Sequence, residues 1–170
     1  MQIGAQFYTI RDFCKTPDDL SESLKKIADI GYTTVQLSGT CPYDPNWMAQ
    51  ELSKNGLRCV ITHTSPQKLT EELEQVCADH DILSCRYVGL GSYRFDGEQG
   101  TVDGFLQTYL PVMDRLSAAG KYFMYHNHAM EFAKTDGKTI LQQLAERTDS
   151  AKMGFTLDTY WVQVGGGDPA

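Results

Sequence analysis

Short apolar runs alternate with longer amphipathic segments along the whole chain. The apolar runs have the length and the content of β-branched and aromatic residues that buried strands have, and we predict strands at 3–7, 33–37, 57–62, 84–90, 121–126 and 153–157. Between them apolar residues recur every three or four positions, which predicts helices near 18–30, 47–55, 66–80, 102–119 and 138–147. Strands that alternate with helices in this way form right-handed βαβ units and a parallel sheet.

Residues at the helix ends support these boundaries. Thr16 followed by Pro17 is a typical start of a helix, and Gly31 and Gly56 are typical residues just after a helix end. Pro111 lies inside the helix predicted at 102–119, so we expect a kink or a break there.

Length and composition indicate a single globular domain over residues 1–170, with 41% hydrophobic and 22% charged residues. The net charge of -7 gives no basic surface for nucleic acid or an anionic membrane, so we expect no such partner. Five cysteines without a CxxC pair predict neither a disulfide framework nor a zinc knuckle. With no signal peptide or apolar span in the sequence, we expect a cytoplasmic protein.

Polar side chains collect at the carboxyl ends of the predicted strands, namely Gln6, Gln36, His63, His126, His128 and Asp158. A parallel sheet of this kind is either doubly wound or a barrel, and the segment after the first strand has no glycine for a dinucleotide fingerprint. Polar groups at this rim are typical of a TIM barrel. A full barrel has eight βα units in ~250 residues. We therefore predict an α/β, TIM-type barrel that is incomplete, with about six of eight units, and lacks the last strands.

The segment YHNHAMEF, at the end of the fifth predicted strand, contains two imidazoles and a carboxylate. His126 and His128 share one face of the strand, and Glu131 follows within one turn of loop. This set of side chains suits a divalent transition metal. The alternative is that they are polar residues where a strand meets solvent.

Asp158 follows the sixth predicted strand, which would deliver its carboxylate to the barrel mouth as a further metal ligand. The alternative is an aspartate that caps the next helix, although the helical pattern after Asp158 is weak.

Other rim residues are candidates for substrate binding. An arginine and an aromatic ring could hold a polyol or an anionic group, a histidine could bind a hydroxyl, and a tryptophan could wall the apolar side of a sugar. Surface ion pairs, a structural histidine and core packing are the alternatives. The candidates are Gln6, Tyr8, Arg11, Gln36, His63 and Trp161.

Four segments together resemble the sugar phosphate isomerase/epimerase family, the xylose-isomerase-like TIM barrels. They are QFYTIRD, GYTTVQLSG, YHNHAMEF and LDTYWVQVGGGDPA, and the resemblance runs along essentially the whole chain. It implies a divalent metal (Mn, Co, Mg or Zn) at the barrel mouth, with ligands from strands five to eight. Asp158 matches the ligand from strand six, whereas His126 and Glu131 remain alternatives at strand five. Gln36 stands where related sequences carry glutamate, and Trp161 where some epimerases carry histidine.

The implied reaction is isomerisation or epimerisation of a sugar or sugar phosphate, with Glu131 and His126 as catalytic residues. The ligands of strands seven and eight have no counterpart, so we expect impaired activity, a metal site that could be absent, and self-association as a homo-oligomer. A lyase or hydrolase of keto-glycosides on the same fold is one alternative. A non-catalytic truncated barrel is the other.

Overall fold

The computed structural model describes residues 3–96, 100–135 and 137–169. Its contacts divide the chain into two compact units, Met1–Thr64 with Glu74–Val88 and Ser65–Leu73 with Gly89–Ala170. The single domain over residues 1–170 stays a prediction.

Six strands form the main sheet, in the order β1-β2-β3-β4-β5-β8. The strands are β1 (Ala5–Gln6), β2 (Thr34–Leu37), β3 (Arg58–Thr64), β4 (Tyr87–Leu90), β5 (Tyr122–His126) and β8 (Met153–Thr156), while β6 (Lys134–Thr135) and β7 (Lys138–Thr139) form a small antiparallel hairpin. Strand β2 pairs in parallel with β1 and β3, and β5 pairs in parallel with β8. The α/β class with about six βα units is thereby confirmed.

Seven helices accompany the described strands. They are α1 (Pro17–Ile30), α2 (Pro45–Lys54), α3 (Pro66–Glu71), α4 (Leu73–Ile82), α5 (Val102–Ala118), α6 (Ile140–Arg147) and α7 (Thr159–Val164). Short 3-10 helices span Phe7–Phe13 and Ala129–Phe132. The predicted cap at Thr16 is confirmed. Its side chain accepts from the Asp19 N–H, and the Asp19 carboxylate accepts from the Thr16 N–H. In the described part of the chain, every helix is too short or too polar to cross a membrane.

Among the predicted elements, the first strand and the third helix differ from the structure. The first strand is only Ala5–Gln6, because the Gln6 side chain accepts from the Tyr8 N–H and starts the 3-10 helix. The single helix expected at 66–80 is two helices, separated at Glu72, which has a φ of -126° and a ψ of 31°. The break coincides with the change of unit, since α3 packs against α5 in the second unit and Glu74 onward belongs to the first.

The helix around Pro111 does not break. The ring removes one backbone donor, but α5 stays continuous and buries seven of its side chains, Val102, Phe105, Leu106, Tyr109, Val112, Met113 and Leu116. Each fully buried side chain of this kind stabilises by roughly 1.5–3 kcal/mol. Their burial therefore outweighs the lost hydrogen bond.

The core of the second unit is aromatic and fixes the direction of strand β5. Tyr125 packs edge-on against Phe105 at a ring distance of 5.4 Å, and Tyr109 lies 5.7 Å from Phe123. Side chains alternate along a strand, so His126 points to the face opposite Tyr125. This alternation brings the first candidate residue out of the aromatic core.

Candidate functional site

The end of β5 and the end of β8 lie side by side in the second unit. His126 is the last residue of β5 and pairs with Thr156, the last residue of β8. Asp158 follows two residues later and begins α7. The parallel register therefore brings residues that are about thirty positions apart in the sequence to one edge of the sheet.

His126 is 8% exposed and faces both of its predicted neighbours. Its Nε2 lies 3.9 Å from Oδ2 of Asp158, and its ring meets the ring of His128 edge-on at 4.8 Å. Burial lowers the pKa of His126, and the neighbouring His128 lowers it further, while Asp158 acts in the opposite direction. A neutral imidazole at neutral pH can accept a proton or bind a metal ion.

Asp158 has one of the two roles that the sequence left open, the helix cap, and its role as a metal ligand stays a prediction. Its Oδ1 accepts from the backbone N–H of Tyr160 at 3.0 Å and of Trp161 at 3.3 Å, so it caps α7. Its Oδ2 is the atom that faces His126. The weak helical pattern after Asp158 misled the sequence interpretation, because a helix of six residues with a strong cap needs little periodicity.

Asn127 is a site residue that sequence reasoning missed. Its side chain is fully buried and binds the backbone of Asp158 twice: Oδ1 accepts from the Asp158 N–H at 2.8 Å, and Nδ2 donates to the Asp158 carbonyl at 3.3 Å. The amide thus continues the pairing of the two strands one step past Thr156. The only signal in the sequence was its place between the two histidines.

Glu131 follows the two histidines in the sequence and is 0% exposed. One carboxylate oxygen accepts from the Tyr125 hydroxyl, and the other accepts from the His128 N–H at 2.8 Å. Burial raises the pKa of Tyr125, and the Glu131 carboxylate raises it further, so the phenol stays protonated and remains a donor. In this arrangement Glu131 holds the loop that carries His128.

Two more residues line the same edge. The ring of Trp161 lies 5.3 Å from the ring of His128. The Thr156 hydroxyl is buried and has no hydrogen-bond partner in the described residues. A buried hydroxyl without a partner is unfavourable, so this atom marks a place for a polar ligand atom or a water molecule.

The metal prediction can be compared with this arrangement. Two imidazoles and a carboxylate fit a divalent transition metal in chemical type. Over residues 3–96, 100–135 and 137–169, however, no three His, Cys, Asp or Glu side chains converge closely enough to hold an ion. A metal would have to draw His126, His128 and Asp158 together, and metal binding stays a prediction.

Three of the predicted substrate-binding residues form one cluster in the first unit. The Arg11 guanidinium lies 4.4 Å from the centre of the exposed Tyr8 ring, and it donates to the Tyr8 carbonyl at 2.8 Å. Gln6 fixes the start of the same turn through the Tyr8 N–H. Gly39 leaves room for the ring, since a Cβ there would lie 2.9 Å from Tyr8.

The other two residues of the first unit bind each other. His63 Nε2 lies 2.7 Å from Gln36 Nε2, and His63 Nδ1 lies 2.9 Å from the Ser38 hydroxyl. Because an amide nitrogen only donates, Nε2 accepts and Nδ1 carries the proton. These two contacts hold the His63 ring at the carboxyl end of β3.

Comparison with solved structures supports the fold prediction. A sugar phosphate isomerase/epimerase from Parabacteroides distasonis ATCC 8503 has a TM-score of 0.83 and 20% identity, over 99% of this chain and 68% of that chain. The chain has a xylose isomerase-like, TIM-type fold. An AP endonuclease, family 2, from Brucella melitensis has a TM-score of 0.75 and 17% identity, over 99% of this chain and 72% of that one. An L-ribulose 3-epimerase has a TM-score of 0.73 and 20% identity, over 99% of this chain and 64% of that chain.

The resemblance inferred from the four segments is thereby confirmed as a likeness of fold. Neither a protein-family model nor a curated protein sequence matches the chain. The chain spans 64% to 72% of the length of these three structures. Since one of them is an AP endonuclease, the fold by itself does not define a reaction.

Proposed function

We propose that this chain is the greater part of an isomerase or epimerase that moves a proton next to the carbonyl of a small sugar or sugar phosphate. The observation that carries the proposal is the His126–Asp158 pair, a buried imidazole 3.9 Å from a carboxylate at neighbouring strand ends. The likeness of fold to a sugar phosphate isomerase/epimerase and to an L-ribulose 3-epimerase supports it.

The residues of the second unit have different roles in the proposed proton transfer. His126, neutral because burial lowers its pKa, takes the proton from carbon or returns it. Asp158 stabilises the imidazolium that forms, through the oxygen that does not cap α7. Trp161, beside His128, covers the apolar face of the sugar ring. Glu131 is the alternative base, and it would first have to give up the Tyr125 or the His128 donor.

A divalent metal (Mn, Co, Mg or Zn) would be held by His126, His128 and Asp158, with Glu131 as a further candidate. When bound, it supplies polarisation of the substrate oxygens. If His126 is a ligand, it is not also the base, and Glu131 takes that role. In the first unit, Gln36 and His63 carry groups suited to hydroxyls, and the Tyr8–Arg11 pair carries groups suited to a polyol or an anionic group. Their part in substrate binding stays a prediction.

Exchange of the substrate's C–H proton with deuterated solvent tests the proposal. A panel of ketoses and their phosphates is incubated with the chain and manganese, and exchange and products are followed by NMR. His126→Gln and Asp158→Asn should each lower exchange by roughly 10²-fold, the usual scale for a general base and its partner. Asp29→Asn, which changes an exposed aspartate of α1, is the matched control and should not.

Two results would count against this function. Absence of exchange for every sugar and metal would leave the non-catalytic alternative, and cleavage of keto-glycosides without isomerisation would favour the lyase or hydrolase. The homo-oligomer is a separate proposal, which light scattering tests.

A further inference from the structure

A cavity of about 500 Å³ opens at the amino ends of the first four strands, within the first unit. Thr34, Arg58 and Tyr87 each begin a strand, and Gly4 precedes β1. Its remaining lining residues are Cys59, Val60, Ser84 and Arg86. The candidate substrate residues Gln36 and His63 lie at the other ends of β2 and β3, so this cavity is not part of the site described above.

Two arginines, Arg58 and Arg86, line this cavity, and no carboxylate is among the residues that line it in the described chain. The protein as a whole has a net charge of -7. Two guanidinium groups at one concave surface of an acidic protein favour an anionic ligand, and guanidinium geometry matches phosphate oxygens.

Small and hydroxyl-bearing residues complete the cavity. Gly4 approaches β2 so closely that a Cβ would lie 2.7 Å from the Thr34 hydroxyl. Hydroxyl groups from Thr34 and Ser84 add hydrogen-bonding capacity, and the ring of Tyr87 lies 5.9 Å from the Arg86 guanidinium. The volume is in the range of small-molecule sites.

Ser84 is the most informative of these residues. It follows α4 with a φ of 50°, the left-handed conformation that favours glycine. Its N–H donates to the backbone carbonyl of Asp81, and the N–H of Cys85 donates to the backbone carbonyl of His80. This pair of hydrogen bonds is typical of a helix end. Among the described residues the same pattern ends four other helices, and there the residue is glycine: Gly31, Gly56, Gly120 and Gly166.

Serine therefore stands where this chain otherwise uses glycine, and at that place it lines the cavity. An L side chain in this conformation is destabilising. A residue that strains the backbone beside two arginines points to a function for its hydroxyl.

We propose that this cavity is a binding site for a small phosphorylated molecule, with the phosphate held by Arg58, Arg86 and the Ser84 hydroxyl. The site is independent of the metal and of the catalytic residues proposed above. Free inorganic phosphate and a phosphate ester share the recognised group, and they differ in whether the rest of the cavity is filled.

Calorimetric titration of the 170-residue chain tests the site with inorganic phosphate, ribose 5-phosphate and acetate as probes. We expect saturable binding of both phosphate compounds, with the ester the tighter one, and weaker binding of acetate. Arg58→Gln and Arg86→Gln should each lower phosphate affinity by about tenfold or more, the scale of a lost charged hydrogen bond. Arg147→Gln, which removes a surface arginine paired with Asp103, is the matched control.

Ser84→Gly separates a ligand role from a structural one. We expect this variant to unfold at a higher temperature than the parent, because glycine relieves the left-handed strain, and to bind phosphate more weakly. It also keeps the test valid if an arginine variant fails to fold. The proposal is wrong if phosphate does not saturate, if acetate binds equally well, or if Ser84→Gly and the arginine variants bind phosphate as the parent does. If inorganic phosphate binds as tightly as ribose 5-phosphate, the site binds the free ion only, and the proposed phosphorylated molecule is wrong.

Discussion

Removing the Asn127 side chain should loosen the junction between β5 and β8. Its amide replaces the backbone pairing that ends at Thr156, with bonds of 2.8 Å and 3.3 Å to Asp158. In Asn127→Ala both bonds are lost. Each contributes about 0.5–1.5 kcal/mol net, and leaving the backbone groups of Asp158 without partners adds to the loss. We expect the free energy of unfolding to fall by about 2–4 kcal/mol.

Urea unfolding followed by circular dichroism measures this loss. Asn46→Ala is the matched control, because Asn46 is exposed in α2 and its side chain makes no hydrogen bond in the described residues. The control should change stability by less than about 0.5 kcal/mol. Asn127→Asp should be worse than Asn127→Ala, since it places a buried charge against the Asp158 carbonyl. If Asn127→Ala is as stable as the control, the amide does not hold the two strand ends.

Two further measurements concern the neighbouring groups. The lowered pKa of His126 means that the unfolded chain binds a proton at a higher pH than the folded chain does. In metal-free buffer the stability contributed by the neutral imidazole should be present above about pH 6.5 and lost as the pH falls below it. In a pH series of urea unfolding, the free energy of unfolding should therefore fall less steeply with decreasing pH for His126→Gln than for the parent. Equal slopes would contradict this prediction. Tyr125→Phe should lower the free energy of unfolding by about 1–3 kcal/mol, because one Glu131 oxygen stays buried without a donor. Tyr160→Phe, at an exposed ring, is the control. Equal losses in the two variants would show that the Tyr125 hydroxyl does not stabilise the fold.

The sequence predicted those parts of the fold that depend on periodicity. Strand β5 and its neighbour β8 could be located because apolar runs of their length recur between amphipathic helices. Their parallel arrangement followed from the alternation of strands and helices. The contact between His126 and His128 followed from the two-residue period of a strand.

Features that depend on register or on tertiary packing could not be predicted in this way. The role of Asn127 requires knowledge that β5 ends opposite Thr156, which no local pattern contains. The burial of Glu131 depends on a hydroxyl from Tyr125, six residues earlier and on the core side of the strand. The unbroken helix at Pro111 depends on the apolar contacts that the rest of α5 makes.

Glu131→Gln tests whether the buried carboxylate is the base or a support for the loop. The substitution keeps the shape but removes the charge, and it brings a donor NH₂ group toward the Tyr125 hydroxyl or the His128 N–H. We expect stability to fall by about 1–3 kcal/mol. If Glu131 is also the base, exchange of the substrate proton should fall by roughly 10²-fold or more.

The two roles separate when both quantities are measured on the same variants. Glu146→Gln, which removes an exposed carboxylate paired with Lys138, is the control for both. A support for the loop lowers stability and the retention of metal, and saturating metal then restores exchange. A base lowers exchange even at saturating metal. If Glu131→Gln exchanges at the parent rate while His126→Gln abolishes exchange at saturating metal, His126 is the catalytic group, and Glu131 serves to hold His128 beside it.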